Sequence, residues 1–258
     1  MTRIRPILRR ALLAAAFALP LAALPPAAGA QQLTVSAAAS LTDAFKAIGQ
    51  RFEADRPGVT VRFNFAASGV LIQQIAQGAP VDVFASADQA TMTRGVEQKV
   101  IDGATRRDFA ANTLVLIVPA QSAPPVAQLA DLTGPQVKRI AVGKPATVPV
   151  GRYTQQALEA AGLWATLEPR FVQADSVRQV LDYVARGEAE AGFVYRTDAA
   201  LMADKVKIVQ TVEGHQPVRY PVAVVADSRH KALAADFVEF LYSAEAQGIL
   251  AKFGFGKP

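Results

Sequence analysis

Residues 33–44 read LTVSAAASLTDA, a short apolar segment followed by a serine and then by an amphipathic pattern. The apolar segment predicts a β-strand, and Leu41, Phe45 and Ile48 recur at the spacing of one helix face. Ser40 lies where that helix begins, so its hydroxyl and the free backbone NH groups of the helix start form a candidate anion site. The stretch predicts a strand–turn–helix unit.

A second unit of the same kind follows at 59–77. Four apolar residues alternate as in a strand, and Ser68 and Gly69 then lead into a second apolar helix pattern. Neither serine has a cationic neighbour in its motif, which favours a neutral site for a small oxyanion. The alternative is that Ser40 and Ser68 are simple N-caps, the commonest use of serine at a helix start.

The rest of the chain continues to alternate between strand and helix patterns. The continuous apolar run at 114–118 predicts a strand buried on both faces. This alternation predicts an α/β fold with parallel sheets covered by helices. Further strands are predicted near 81–84, 140–142, 192–195, 206–209 and 222–225, and further helices near 89–99, 151–161, 177–184 and in two C-terminal segments.

The first thirty residues have the pattern of a signal peptide. Four arginines precede an apolar segment that begins at Ala11, and Ala28-Gly29-Ala30 fits a small-residue cleavage site. We expect cleavage after Ala30 and export by the Sec route. The Arg9-Arg10 pair leaves twin-arginine export as the alternative.

Charge and cysteine content narrow the classes of partner. The chain has 27 Lys and Arg against 22 Asp and Glu, but four of the arginines lie in the leader, which leaves 23 against 22. This balance gives no electrostatic case for nucleic acid or an anionic membrane as a partner. The absence of cysteine excludes disulfides, thiolate metal sites and a lipid-modified N-terminal cysteine. We therefore expect a free periplasmic protein with no direct membrane anchor.

Signals for catalysis are weak. His215 and His230 are the only histidines, and neither has a carboxylate or histidine at metal-ligand spacing. Asp82 and Asp88 lie close together in VDVFASAD and could be read as paired carboxylates. The simpler interpretation is that Asp88 caps a helix and Asp82 fastens the end of a strand.

Eight motifs in order along the chain resemble those of the periplasmic molybdate-binding proteins of ABC importers. Each is weak alone, but their shared order and spacing are specific, and they extend over nearly all of residues 31–258. They are AAASL at 37–41, FAASG at 65–69, GAPVDVFASAD at 78–88, AVGKPATVPVGRY at 141–153, DSVR at 175–178, GFVYRTDA at 192–199, YPVAVV at 220–225 and FGF at 253–255.

The resemblance implies a two-lobed type II periplasmic binding fold. Each lobe would be a mostly parallel sheet covered by helices, with two crossover strands joining the lobes and a ligand cleft between them that closes by a hinge motion. The apolar runs at 113–118 and 220–225 are the candidate crossover strands. The expected organisation is a signal peptide at 1–30, lobe 1 at 31–112 plus 222–258, and lobe 2 at 113–221.

The resemblance also implies a ligand set of neutral donors. Carried over position by position, it comprises the hydroxyl and NH of Ser40 and of Ser68, the NH of Val150, the NH of Val177 and the hydroxyl of Tyr195. It implies no catalytic residue and no cofactor, and molybdenum would bind only as the oxyanion. From the residues alone, Val150 and Val177 could equally be core residues, and Tyr195 could lie on the surface at a strand end.

Physical chemistry agrees with a neutral donor set. Removing a dianion from water is costly, and converging NH and OH groups at helix N-termini compensate for that cost without a flexible cation. Fixed donors also select by size, because an ion too small to reach all of them leaves some unpaired. Lys144 departs from the expected family pattern. We expect either a solvated loop lysine or one that attracts the dianion from solution.

The predicted function is capture of molybdate and tungstate in the periplasm by a monomer that delivers them to a membrane ABC transporter permease. A binding protein for sulfate or phosphate is the alternative within the same class. A hydrolase using Ser40 or Ser68 would need a histidine base, for which the sequence offers no candidate beside either serine. The ligand-sensing domain of a regulator would need a DNA-binding segment and no leader.

Overall fold

The computed structural model describes residues 31–121 and 126–258, together with Thr2. Apart from Thr2, the predicted signal peptide lies outside the described residues, as do residues 122–125 of a proline-rich loop. Within the described ranges, none of the helices combines the length and the apolar composition that crossing a membrane requires.

Strands and helices alternate along most of the chain, as the sequence patterns predict. The strands are β1 (Gln31–Ala38), β2 (Val59–Ala66), β3 (Val83–Ala85), β4 (Arg107–Ala111), β5 (Leu114–Pro119), β6 (Ile140–Gly143), β7 (Phe171–Ala174), β8 (Ala191–Tyr195), β9 (Val206–Thr211) and β10 (Arg219–Val224). The α-helices are α1 (Thr42–Ala54), α2 (Ser68–Ala76), α3 (Gln89–Glu97), α4 (Pro149–Ala160), α5 (Trp164–Leu167), α6 (Val177–Ala185), α7 (Arg196–Leu201), α8 (Lys231–Phe240) and α9 (Ala244–Lys252). Short 3-10 turns lie at Ala39–Leu41, Gly103–Thr105, Leu129–Thr133 and Glu168–Arg170.

In the described part of the chain, the strands form two sheets with the same plan. The first sheet has the order β2-β1-β3-β10-β4 and the second β7-β6-β8-β5-β9. In the first sheet β10 alone runs against the other four strands, and in the second sheet β5 does. The predicted α/β class with mostly parallel sheets is confirmed. The chain enters the second sheet at β5 and returns to the first at β10. The two antiparallel strands are therefore the ones at which the chain passes from one sheet to the other.

The apolar run at 114–118 forms the buried strand that its composition predicts. β5 lies between β8 and β9, and the side chains from Leu114 to Ile117 are fully buried. A strand covered on both faces carries no polar alternation. The continuous apolar pattern therefore marks the centre of a sheet.

Aromatic side chains pack the C-terminal helix α8 against α1 and the first sheet. The ring of Phe45 on α1 lies 5.6 Å from that of Phe109 on β4 and 6.2 Å from that of Phe237 on α8. Phe52, two turns along α1, lies 5.1 Å from Phe237 in an edge-to-face arrangement. Tilted contacts of this kind are favourable beyond simple burial. These contacts hold α8, residues 231–240, against the sheet that contains β1.

Candidate oxyanion-binding site

One small cavity between the two sheets contains all five residues of the predicted ligand set. Ser40 and Ser68 follow β1 and β2 of the first sheet, whereas Val150, Val177 and Tyr195 follow or end β6, β7 and β8 of the second. Each therefore lies at the carboxyl end of a strand, where open α/β sheets commonly bind ligands. The cavity has a volume of about 10 Å³ and is lined by Ala38, Ala39, Ser40, Ala67, Ser68, Ala87, Val148, Pro149, Val150, Val177 and Tyr195.

Ser40 is held by a tyrosine that sequence reasoning did not identify. Its hydroxyl lies 3.0 Å from that of Tyr220, which also accepts a hydrogen bond of 3.3 Å from the amide of Asn112. Ser40 makes no side-chain cap of the turn that it occupies, so the N-cap interpretation is wrong. If Tyr220 accepts from Asn112 and donates to Ser40, the hydrogen of the serine hydroxyl is left for a ligand.

Ser68 is also not an N-cap. It is the first residue of α2, Ala67 holds the cap position, and the Ser68 hydroxyl accepts a hydrogen bond of 3.0 Å from the NH of Ala87. The side chain is fully buried. Because the oxygen already accepts a bond, its own hydrogen can point into the cavity as a donor.

Val150 and Val177 reach the cavity at helix starts. Pro149, which has no NH, begins α4, so Val150 supplies the first NH of that helix. Val177 begins α6, and the Ser176 cap accepts from the NH of Gln179 instead. NH groups at these positions have no acceptor within their helix. Both valine side chains are buried, so the core interpretation holds for the side chains while the NH groups remain available.

Tyr195 ends β8 inside the protein rather than on its surface. Its side chain is buried, and among the described residues its hydroxyl has no hydrogen-bond partner. Burial, with smaller contributions from neighbouring tyrosines and carboxylates, raises the pKa of this phenol well above 10. The group therefore remains a protonated donor at the edge of the cavity.

The charged side chains of Arg152 and Asp88, which lie close in sequence to residues that line the cavity, are paired with other groups. Arg152 contacts Asp88, with 2.6 Å between Nε and Oδ2, and also donates to the hydroxyl of Thr91. Asp88 accepts from the NH of Thr91 and so caps α3, as predicted. Asp82 accepts from the NH of Thr34, which confirms its predicted role at a strand end. No lysine or arginine is among the described residues that line the cavity.

Both histidines lie away from the two site serines. The hydroxyl of Ser228 donates to Oδ1 of Asp82 at 2.7 Å, and Nδ1 of His230 lies 3.3 Å from the same oxygen. The Ser228 hydroxyl is therefore bonded to the carboxylate and not to the imidazole of His230. His215 contacts the carbonyl oxygens of Val212 and Gln216. The described residues contain no group of three or more potential metal ligands.

Known proteins share this fold and much of the sequence. The model of a family described as bacterial extracellular solute-binding protein matches residues 33–256. The chain is 40% identical to the molybdate-binding protein ModA of Escherichia coli (strain K12), over 87% of this chain and 88% of that protein. The periplasmic molybdate-binding protein of Azotobacter vinelandii superposes with a TM-score of 0.75 at 26% identity, covering 88% of this chain and 99% of that one.

A further solved structure shares the fold at lower identity. The sulfate-binding protein SubI from Mycobacterium tuberculosis H37Rv has a TM-score of 0.79 at 20% identity, over 87% of this chain and 86% of that one. Together these matches confirm the predicted type II periplasmic binding fold. The chain belongs to the bacterial extracellular solute-binding proteins, a family of binding components of transport systems rather than of enzymes.

Proposed function

We propose that this protein captures molybdate or tungstate in the periplasm and delivers it to a membrane ABC importer. The proposal rests on the cavity and on relatives, the Escherichia coli protein among them, whose names state molybdate binding. Residues 1–30 would be removed after Ala30 following export by the Sec route. The mature protein would act as a monomer without a lipid anchor.

The hydroxyl of Tyr195, which has no hydrogen-bond partner in the described part of the chain, is the observation that carries the proposal. A buried polar group without a partner costs free energy, so such groups are uncommon unless a ligand or water satisfies them. An oxyanion in the cavity would accept from this hydroxyl. It would at the same time reach the hydroxyls of Ser40 and Ser68 and the NH groups of Val150 and Val177.

The chemistry of the lining fits a dianion. Three helices, α2, α4 and α6, begin at the cavity, and the N-terminus of a helix carries partial positive charge. Hydrogen bonds to a charged acceptor are about twice as strong as those between neutral groups. A cavity lined by fixed, neutral donors can therefore bind a tetrahedral dianion and distinguish it from dianions of other sizes.

We propose that the two sheets correspond to two lobes that close on the ligand. Lobe 1 would comprise residues 31–112 plus 222–258, and lobe 2 residues 113–221, with the ligand cleft between them. Because the proposed donors are divided between the lobes, a bound oxyanion would stabilise the closed arrangement.

Calorimetric titration of the mature protein with molybdate, tungstate, sulfate and phosphate tests the proposal. We expect saturable binding of the two larger ions. Molybdate at about 100 times its dissociation constant should add about 2.7 kcal/mol to the free energy of unfolding. Binding of sulfate or phosphate in preference to molybdate would instead support the alternative oxyanion function.

A further inference from the structure

Arg178 connects three of the segments that contribute to the cavity. Its Nε donates to Oδ1 of Asp198 at 2.7 Å, and its Nη2 donates to Oδ2 of Asp43 at 2.9 Å. Arg178 itself directly follows Val177. Asp43 lies three residues after Ser40, and Asp198 lies three residues after Tyr195. One guanidinium group is therefore bonded to the segments that carry three of the five proposed donor residues.

The two bonds of Arg178 differ in burial. The side chain of Asp198 is fully buried, and its second carboxylate oxygen has no partner among the described residues. The side chain of Asp43 is 39% exposed and that of Arg178 is 27% exposed. Removing one partner from a buried ion pair is strongly destabilising, whereas a partly exposed pair is weaker and is screened by salt. The bond to Asp198 is therefore the permanent one, and the bond to Asp43 is the one that can open.

The two bonds also differ in what they join. Arg178 on α6 and Asp198 on α7 both belong to segments between strands of the second sheet, whereas Asp43 on α1 follows β1 of the first. The bond to Asp198 lies within one proposed lobe. The bond to Asp43 crosses the cleft and must break if the lobes separate.

We propose that Arg178 is a positioning residue that acts as a latch on the closed cleft. Through Asp198 it fixes the start of α6 and the end of β8, and through Asp43 it holds both against the turn that carries Ser40. Its positive charge is satisfied by carboxylates, so it acts without binding the oxyanion. This inference rests on the proposed function and adds a determinant of the rate of ligand release.

The substitution Asp43→Asn tests the latch. It removes only the charge at the cleft-crossing bond and leaves the buried pair intact, so the protein should still fold. We expect release of radiolabelled molybdate into an excess of unlabelled molybdate to be two- to fivefold faster, as for loss of a partly exposed ion pair. The association rate should not change, because the bond forms only in the closed arrangement.

Asp55→Asn is the matched control. Asp55 lies at the end of the same helix and makes a 2.9 Å ion pair with Arg51, with side chains 40% and 41% exposed, but this pair does not cross the cleft. Its release rate should equal that of the wild type. Arg178→Lys, which keeps the charge but cannot bridge both carboxylates as a planar fork does, should release molybdate faster than the wild type.

The outcomes separate the latch from the proposed function. Equal release rates for Asp43→Asn and Asp55→Asn, with normal binding by the wild type, would overturn the latch alone. Slower association by Asp43→Asn with unchanged release would also overturn it. Failure of the wild-type protein to bind molybdate in the titration would overturn both proposals.

Discussion

The NH of Gly69 donates a hydrogen bond of 3.0 Å to the carbonyl oxygen of Thr147. Gly69 lies in the first turn of α2, beside Ser68, and Thr147 lies in the loop that precedes α4 and Val150. The bond therefore joins backbone from the two sides of the cavity directly. A Cβ atom at position 69 would lie only 2.5 Å from that carbonyl oxygen, so glycine is required for this approach.

We expect Gly69→Ala to oppose closure while leaving each proposed lobe intact. The added methyl group would meet backbone atoms of Thr147, which cannot move aside as a flexible side chain would. An open arrangement avoids that contact, so the affinity for molybdate should fall at least tenfold with little change in the melting temperature of the ligand-free protein. Calorimetry and thermal unfolding measure the two effects.

Gly248→Ala is the matched control for Gly69→Ala. Gly248 lies in α9, and a Cβ atom there would meet no atom within 4 Å. Alanine is favoured over glycine inside a helix by about 1 kcal/mol, so this variant should be slightly more stable and should bind molybdate normally. Unaltered affinity in Gly69→Ala as well would mean that the close approach is not part of the bound state.

Tyr195→Phe should lower the affinity for molybdate with little effect on the stability of the ligand-free protein. Removing a hydroxyl that donates to a charged oxygen should weaken molybdate binding by about 1.5–3 kcal/mol. In the closed arrangement this hydroxyl is buried without a partner among the described residues, whereas an open, ligand-free cleft admits water to it, so the free energy of unfolding without ligand should change by less than about 1 kcal/mol. Calorimetry and urea unfolding test the two parts.

Tyr183→Phe provides the comparison for Tyr195→Phe. Tyr183 is a half-buried residue of α6 that does not line the cavity. We expect its variant to match the wild type in affinity. A Tyr195→Phe protein with wild-type affinity would exclude this hydroxyl from the ligand set.

Local patterns predicted the fold well where side chains are regular. The alternation at 59–65 and the apolar run at 114–118 correspond to β2 and β5. Residues 107–111 and 171–174 form β4 and β7, which the sequence did not indicate. β4 has only two buried side chains, Phe109 and Ala110, and β7 is four residues long, so neither has enough residues to establish a period.

The site was harder to predict than the fold because much of it is backbone. A serine at a helix start suggests a donor, but Val150 and Val177 line the cavity at positions whose NH groups are free, and a valine side chain gives no sign of this. These two positions and Tyr195 were proposed from the family resemblance. Tyr220 belongs to the YPVAVV motif, but no local pattern indicated its contact with Ser40, since the two residues lie 180 positions apart in the chain.

Lys144 forms an exposed ion pair with Asp175, so substituting either partner tests the predicted influence of Lys144 on the association rate. Its Nζ lies 2.6 Å from Oδ1 of Asp175, with side chains 44% and 75% exposed. Lys144→Ala leaves a negative charge near the cleft and should slow association of the dianion about twofold at low salt. Asp175→Asn leaves a positive charge and should speed it by a similar factor.

The salt dependence distinguishes long-range attraction by Lys144 from direct binding. Both effects should disappear as the ionic strength approaches 1 M, where the Debye length is about 3 Å. Release rates should not change in either variant. Faster release from Lys144→Ala at every salt concentration would instead make the lysine a ligand and would contradict the all-neutral donor set.

Asp198 should make stability depend on pH in an unusual direction for a carboxylate. Burial raises the pKa of its carboxyl from 3.8 to about 6, although the guanidinium of Arg178 acts to lower it. The folded protein then binds this proton more tightly than the unfolded chain does. The resulting stabilisation is complete below about pH 4 and is lost as the pH rises through about 6.

Asp198→Asn removes this titration while keeping an oxygen that can accept from Arg178. Relative to the wild type, its free energy of unfolding should rise by about 2.4 kcal/mol between pH 4 and pH 7, most of the effect of a two-unit pKa shift at 1.36 kcal/mol for each unit. Urea unfolding of both proteins at several pH values measures the difference, in which the other titrating groups cancel. A difference that does not change with pH would mean that Asp198 stays ionised across the range, held so by Arg178.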